Sequence, residues 1–385
     1  MEFDRILIIA TRQIGDVLCT TPLMRGVREL WPNAVIDVLG YEKTMGMLSG
    51  NPDINQVIES PEHPTWLQYK NLIKRIFRKY DLAIVTQPSD RAHIYGLWAA
   101  PKRVGIVPTS KSHNWWKKWL CLHTVELDYW NQHVVIERLR LLDKFRQKTN
   151  REAEARHSLQ VSVTPPAAEL LPQVVFDFVG AGPSVVIHAT PMWKFKRWPI
   201  QNWAELISAL VAGGHRVILT GSLSQQDRDL NGEILARVAQ DFPSTPPSQV
   251  RDCAGQLTLG QTTALLKLAQ LYIGVDTSIT HLAAACGTQT IALFGATAPT
   301  NFGPWPQGYT VRSGARSVWA LRGEEHTDGV RIQTTRNVRI IQGPGECVPC
   351  RKAGCLDKFE SHSDCLNHLP VAAVMDVATD ETKTT

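Results

Sequence analysis

"RILIIATRQIGDVLCTTPLMRGVRELWP", residues Arg5 to Pro32, opens with a run in which five of six residues are apolar. The run is too short to cross a membrane and lacks the flanks of a signal peptide. It reads as a strand covered on both faces, the pattern of a parallel sheet. Behind it, Val17, Met24, Val27 and Trp31 recur at helical spacing over Asp16–Trp31, with Pro22 either opening the regular helix after Thr21 or kinking it one turn in. Asp16 therefore stands where the strand hands over to the helix. In open α/β sheets ligands bind at that edge, and a carboxylate at a helix start is also favoured by the dipole, so Asp16 reads either as a cap or as a ligand-facing group.

The same grammar continues outward. "AVIDVLG" (Ala34–Gly40), "LAIVTQ" (Leu82–Gln87) and "VGIV" (Val104–Val107) read as strands, with an amphipathic basic stretch from Trp66 to Lys79 between the first two. From Lys148 to Pro183 the periodicity is broken by "TPPAAELLP" and "GAGP", and a linker or domain crossing is expected there. "SVVIHA" (Ser184–Ala189) then restarts the alternation. "NWAELISALVAGG" reads as a helix closed by Gly213-Gly214, and "RVILTG", "LAQLYIGV" and "TQTIALFG" follow as strands. The expected fold class is α/β, with two Rossmann-like domains facing a cleft, over residues 1–165 and 166–385. Neither half opens with a Gly-x-Gly-x-x-Gly fingerprint, which weighs against a dinucleotide-dependent dehydrogenase.

Composition agrees with two domains: 385 residues exceed one ordinary core, and 43% hydrophobic with 20% charged residues is globular. No apolar run approaches the roughly 18 residues of a membrane helix, so a cytoplasmic protein is expected. The net charge of +5 is mild and dispersed except around "KSHNWWKKWL" (Lys111–Leu120), so nucleic acid is not an expected partner, whereas an anionic substrate or membrane surface is compatible. In "HNWWKKWL", Trp115, Trp116 and Trp119 alternate with Lys117 and Lys118. Either they suit the headgroup level of an anionic membrane, or the rings pack under a loop with the lysines solvated.

Chemistry concentrates in "GVDTSITHLAAACGTQTIALFG" (Gly274–Gly295). A strand ends at Val275, Asp276 and Thr277 turn the corner, and a helix runs through His281 to Cys286 before Gly287 stops it. Thr277 and Ser278 would open that helix with backbone N–H groups available to an anion, with His281 one turn along on the same face. Alternatively Asp276 caps the helix and His281 is a packed, satisfied histidine. "HATPMWKFKRWP" (His188–Pro199) places Lys194, Lys196 and Arg197 after another strand, within reach of a ligand phosphate.

Taken together, "RQIGDVLCTTPLMRGVRELWP", "FKRWP…NWAELISAL" and "GVDTSITHLAAACGTQTIALFG…GPWP" resemble, in order and over nearly the whole chain, the bacterial lipopolysaccharide heptosyltransferases of glycosyltransferase family 9. The resemblance implies a GT-B fold with an acceptor-binding first domain and a donor-binding second one. It implies inverting transfer of heptose from ADP-heptose to a lipid A-linked core oligosaccharide, with no cofactor required for catalysis. Asp16 would be the general base and Gly15 would allow close approach of the sugar. Lys196 would bind the donor phosphates, and Asp276, Thr277, Ser278 and His281 would form the sugar-diphosphate site. Arg12 is either an acceptor-anion ligand or a structural partner of Asp37 or another carboxylate. Where some family members carry a ribose-binding glutamate, this chain reads "SLSQQD" (Ser222–Asp227), leaving Ser224, Gln225, Asp227 or none of them for that contact. A family-9-like transferase of a different nucleotide sugar and a non-catalytic nucleotide- or metal-binding module are the alternatives.

Four of the eight cysteines, Cys347, Cys350, Cys355 and Cys365, crowd into a Cys-x2-Cys-x4-Cys-x9-Cys array. Its first pair has the spacing with which two thiolates grip one metal. Structural zinc or iron is the expectation, since soft thiolates select them; free reduced thiols are the alternative. The resemblance adds an acceptor in the inner membrane, hence peripheral contact with its cytoplasmic face.

Overall fold

The computed structural model describes residues 1–146, 159–311 and 314–383. The chain forms two compact units, Met1–Ala167 with Gly308–Val318, and Ala168–Gln307 with Trp319–Thr385. The expected linker begins at Lys148, and its portion up to residue 158 lies outside the described residues.

The first unit is built on six parallel strands: β1 (Arg5–Ala10), β2 (Val35–Tyr41), β3 (Gln56–Ser60), β4 (Leu82–Val85), β5 (Lys102–Val107) and β6 (His123–Glu126), in the order β3-β2-β1-β4-β5-β6. The apolar run of β1 is central, and Ile6 to Ile9 have no exposed surface, as a strand buried on both faces requires. Because β2 and β4 flank β1 on opposite sides, the strand order reverses there, opening the crevice in which α/β sheets hold ligands.

The expected helix over Asp16–Trp31 is two helices, α1 (Ile14–Leu18) and α2 (Thr21–Leu30). Thr20 and Thr21 cause the break: their hydroxyls donate to the carbonyls of Asp16 and Leu18, both at 2.8 Å, competing with helical pairing. Pro22 then sits in the first turn of α2, where its missing N–H costs nothing. After α3 (Glu42–Met45), the helices α4 (Trp66–Ile76), α5 (Asp90–Ala99) and α6 (Lys111–Leu120) form one layer on one face of the sheet. Each connects strands taken in the same direction, and right-handed crossovers put them on the same side. Leu72, Ile76, Ala92, Tyr95 and Ala99 seal that layer onto Leu7, Ile9 and Val85.

In α6 the expected roles of the side chains are partly reversed. Lys117 is buried, with Nζ 2.6 Å from Asp90 and 2.7 Å from the Pro88 carbonyl, so it is not a solvated lysine. Lys118 pairs with Glu126 at 2.5 Å. Trp116 meets the His93 ring edge-on, whereas Trp115 and Trp119 stand in solvent.

The second unit carries an eight-stranded sheet. Its strands are β8 (Ser184–His188), β9 (Arg216–Leu219), β10 (Val250–Asp252), β11 (Leu271–Val275), β12 (Gln289–Phe294), β14 (Glu324–Glu325), β15 (Arg331–Thr335) and β16 (Val338–Gln342). The order is β10-β9-β8-β11-β12-β16-β15-β14, parallel from β10 to β16 and antiparallel beyond. The remaining strands, β7 (Leu159–Val161) and β13 (Tyr309–Val311), pair antiparallel in the first unit. As in the first sheet, the order reverses in the middle, here between β8 and β11, so the loops after those two strands flank the crevice. Trp198, Trp203, Leu206 and Ile207 pack with Val185, Ile187, Ile273 and Leu293 in the core beneath them. The helix Ile200–Ala212 ends at Gly213, as expected, with Gly214 left-handed at φ +86°.

Candidate active site

In the first unit, three residues separate the end of β1 from the start of α1, and Asp16 lies in the first turn of that helix. Its carboxylate is not a helix cap. Oδ1 accepts from Arg138 Nη2 at 2.7 Å, while Arg138 Nη1 donates to the Asp16 carbonyl at 2.5 Å. Oδ2 lies 3.6 Å from Arg12 Nε. Arg138, on the short helix α7 (Val134–Leu139), is almost entirely buried, and this two-point clamp fixes the carboxylate's orientation. Arg12 is half-exposed; Asp16, and behind it Tyr129 and Glu137, push its pKa above the ordinary arginine value. The alternative pairing of Arg12 with Asp37 does not occur, since Asp37 accepts instead from the Tyr80 hydroxyl at 2.7 Å. Gly15 is the second residue of α1, and its carbonyl accepts the Cys19 amide.

In the second unit, the loop after β8 and the turn after β11 meet. Lys196 Nζ lies 2.5 Å from Asp276 Oδ2. Burial alone would raise the Asp276 pKa, but Lys196, His281 and the Thr297 hydroxyl overcome it and hold the carboxyl below its ordinary range. Asp276 therefore serves neither as the helix cap of the alternative reading nor as an isolated buried acid. Thr277 is the N-cap residue of the helix Ser278–Cys286, but its hydroxyl meets the Thr280 hydroxyl at 3.3 Å instead of accepting a first-turn backbone amide. Thr277 and Ser278 are half-buried and His281 is buried one turn on. Gly287, left-handed at φ +82°, ends the helix. Of the other cations in the loop, Lys194 pairs with Glu360 at 2.8 Å.

The "SLSQQD" loop is largely committed to its own geometry. Ser224 caps the helix Gln225–Asp241 by accepting the Asp227 amide at 3.1 Å, and Asp227 accepts the Ser222 amide at 2.8 Å. Gln225 donates to Asp229 at 2.6 Å.

None of the four C-terminal cysteines is in a disulfide. Burial, and then the proximity of Cys350, Cys355 and Cys347, push the Cys365 thiol up to about 12. The segment adds donors that cysteine spacing does not reveal: Cys355 Sγ, a His362 ring nitrogen and an Asp364 carboxylate oxygen all lie within 4.8 Å of one another. No helix among the described residues is long and apolar enough to cross a membrane.

Sequence reasoning missed Arg138. Its one signal is an arginine within the apolar run "VVIERLRLL", 122 residues beyond the carboxylate it holds.

Comparison with known proteins gives this geometry its context. The family model described as glycosyltransferase family 9 (heptosyltransferase) matches residues 69–327. Lipopolysaccharide heptosyltransferase 3 of Escherichia coli is 32% identical over 299 residues, covering 76% of this chain and 83% of that protein. Lipopolysaccharide heptosyltransferase 2 of Escherichia coli K12 is 26% identical, covering 77% and 84%. Among solved structures, E. coli ADP-heptose lps heptosyltransferase II superposes with a TM-score of 0.68 at 19% identity, over 98% of both chains. E. coli heptosyltransferase WaaC with ADP does so with 0.66 at 18%, over 98% of this chain and 99% of that one. The fold is thus the α/β GT-B class that the sequence implied. With the family model spanning most of its length and a relative above 30% identity, this chain belongs to glycosyltransferase family 9, the heptosyltransferases.

Proposed function

We propose that this chain is an inverting glycosyltransferase that moves heptose from ADP-heptose onto the lipopolysaccharide inner core, with residues 1–165 binding the acceptor and 166–385 the donor. The observation that carries this reading is the carboxylate of Asp16, clamped by a buried arginine at the reversal point of the first sheet in a chain whose relatives are named heptosyltransferases. Oδ1 is engaged by Arg138, so Oδ2 is the oxygen assigned to the acceptor hydroxyl. As the acceptor's hydroxyl oxygen attacks the anomeric carbon, its proton passes to Asp16, the new C–O bond forms, and the bond from carbon to the donor phosphate breaks with release of ADP. Lys196 and the backbone N–H groups after Thr277 and Ser278 take up the charge growing on the phosphate, His281 and Asp276 hold that edge in place, and no cofactor is needed. Arg12 and Gly15 line the acceptor side. A panel of ADP-, GDP- and UDP-sugars tests the donor assignment: turnover should be confined to ADP-heptose, and preference for another nucleotide sugar would replace it with a different family-9 specificity.

Arg138 acts here as a positioning residue. Arg138→Met should lower kcat by about 100-fold with little change in KM for the donor, since misplacing a base by an ångström costs about that much. An unchanged kcat would assign the clamp to folding alone.

Cys347, Cys350, Cys355 and Cys365 are proposed to hold a structural zinc or iron ion. The supporting observations are the proximity of Cys347, Cys350 and Cys355 to Cys365 and the grouping of Cys355 with the donors His362 and Asp364, in a segment whose thiolates suit a soft metal. His362 and Asp364 group with Cys355, whose Sγ accepts the Asp364 amide at 3.3 Å, and are positioned to orient it. The ion would pin the last helix, Val371–Lys383, to the second unit and take no part in transfer. Anaerobically purified protein should contain about one equivalent of metal per chain, lost together with thermal stability in Cys347→Ser/Cys350→Ser. Metal-free protein with four reduced thiols and an unchanged melting temperature would refute the site.

A further inference from the structure

Helix α6 is built inside out. Its buried positions are polar: Asn114 donates to the Pro108 carbonyl at 2.9 Å, and Lys117 is engaged by Asp90 and the Pro88 carbonyl. Its outward positions, one turn apart, are Trp115 and Trp119, 66% and 82% exposed. A surface helix ordinarily turns its apolar side to the core, so a water-facing tryptophan pair over an ionic underside needs another partner. The neighbouring helices repeat the feature. Trp66 and Leu67 are exposed at the start of α4, and beyond its end Phe77 stacks obliquely on Trp98 of α5, both exposed. The rings thus span the outer side of the α4–α6 layer.

The charge on the same layer identifies the partner. From Trp66 to Leu120 the chain carries eleven Lys and Arg against two Asp, more positive charge than the net +5 of the whole protein. Around α4, Lys70, Lys74, Arg75, Arg78 and Lys79 are all exposed, and no acidic residue falls between Trp66 and Tyr80. Of the two aspartates, Asp90 is engaged by Lys117 and Asp81 accepts the Asp4 and Arg5 amides. A second copy of this face would meet it with like charge, and nothing on it matches a cationic or neutral protein. Tryptophans interleaved with unopposed lysines and arginines match the boundary of a bilayer, where rings sit at headgroup depth and cations meet anionic lipid phosphates.

We propose that the outer face of α4, α5 and α6 docks this enzyme onto an anionic lipid bilayer. The inference rests on the reading above of a lipid-linked acceptor only for its purpose; the surface itself is argued from exposure and charge. Docking would hold the acceptor-binding unit at the surface in which such an acceptor lies. It also changes which residues matter: Lys118, paired with Glu126, and Lys117, buried, are not the membrane-facing cations, whereas Lys74, Arg75 and Arg78 are.

Flotation with vesicles of phosphatidylcholine alone, or of phosphatidylcholine with phosphatidylglycerol, tests this with the full-length protein. Wild type should float with the anionic vesicles only, and high salt should release it. The variant Lys74→Glu/Arg75→Glu/Arg78→Glu should lose at least about 100-fold in partitioning, from the loss of three surface charges. Trp115→Ser/Trp119→Ser should lose binding while keeping its melting temperature. Transfer to a soluble, lipid-free acceptor should stay at the wild-type rate in both variants; failure of the wild type in that assay would count against the transferase reading alone and leave the flotation result standing. No flotation of wild type, equal flotation of wild type and variants, or a wild-type dimer that Trp115→Ser/Trp119→Ser converts to monomer would overturn the proposal.

Discussion

Asp16→Asn should bind ADP-heptose as wild type does and transfer heptose about 100- to 10,000-fold more slowly. The amide keeps the shape of the carboxylate and its oxygen can still accept from Arg138, so the clamp at 2.7 Å survives the change. What it lacks is a site for the acceptor proton. The loss should fall on kcat rather than on donor KM, because the group acts on the hydroxyl only as it attacks. A slow rate accompanied by an equal loss of donor affinity would instead make Asp16 a structural element of the site. Arg12 and Arg138 sharpen the expectation: removing the negative charge leaves two guanidinium groups facing each other across the amide, and acceptor anions should then bind no more weakly than before.

Lys196→Ala is expected to have two separable effects. Removing a cation from the donor phosphates should slow transfer by about 100- to 1,000-fold and weaken ADP binding with it, since the charge is met both in the bound donor and, more strongly, in the leaving group. Independently, the substitution leaves the buried Asp276 without its partner at 2.5 Å, and breaking such a pair costs about 3–5 kcal/mol. The pH dependence separates the two. In wild type the Asp276 carboxyl is held below its ordinary range, so the pair stabilises the fold above that range and the contribution is lost as acid titrates the carboxyl. Without Lys196 the desolvation that already opposes ionisation is less compensated. The Asp276 pKa then moves up, and the variant's deficit in melting temperature should be largest at neutral pH and shrink as pH falls through about 4. Unchanged ADP affinity by calorimetry would remove Lys196 from the donor site, and a pH-independent deficit would remove the ion pair from the stability argument.

The features legible in the sequence were those with a local cause. β1, β8, β11 and β12 could be read because strands buried on both faces are short apolar runs, and Asp16, Lys196 and Asp276 because each lies within eight residues of the end of such a run. The break between α1 and α2 was harder to see, since Thr20 and Thr21 act through hydroxyl bonds that compete with a periodicity continuing across them. Arg138 was out of reach because an arginine in an apolar helix gives no sign of a carboxylate 122 residues earlier. Lys117 was misread for the opposite reason. Composition suggests a solvated lysine among tryptophans, yet the helical phase turns it inward with Asn114 and turns Trp115 and Trp119 out. His362 and Asp364 come beside Cys355 only through the fold of the loop between Cys355 and Cys365.

The central claim is most directly tested by mass analysis of the product after the purified protein is incubated with ADP-heptose and heptose-deficient truncated lipopolysaccharide acceptors. The account predicts an acceptor heavier by one heptosyl residue, with inverted anomeric configuration and one ADP released per transfer, absent when Asp16→Asn replaces wild type over the same interval. Retained anomeric configuration, or an acceptor of unchanged mass beside full turnover of a different nucleotide sugar, would contradict it.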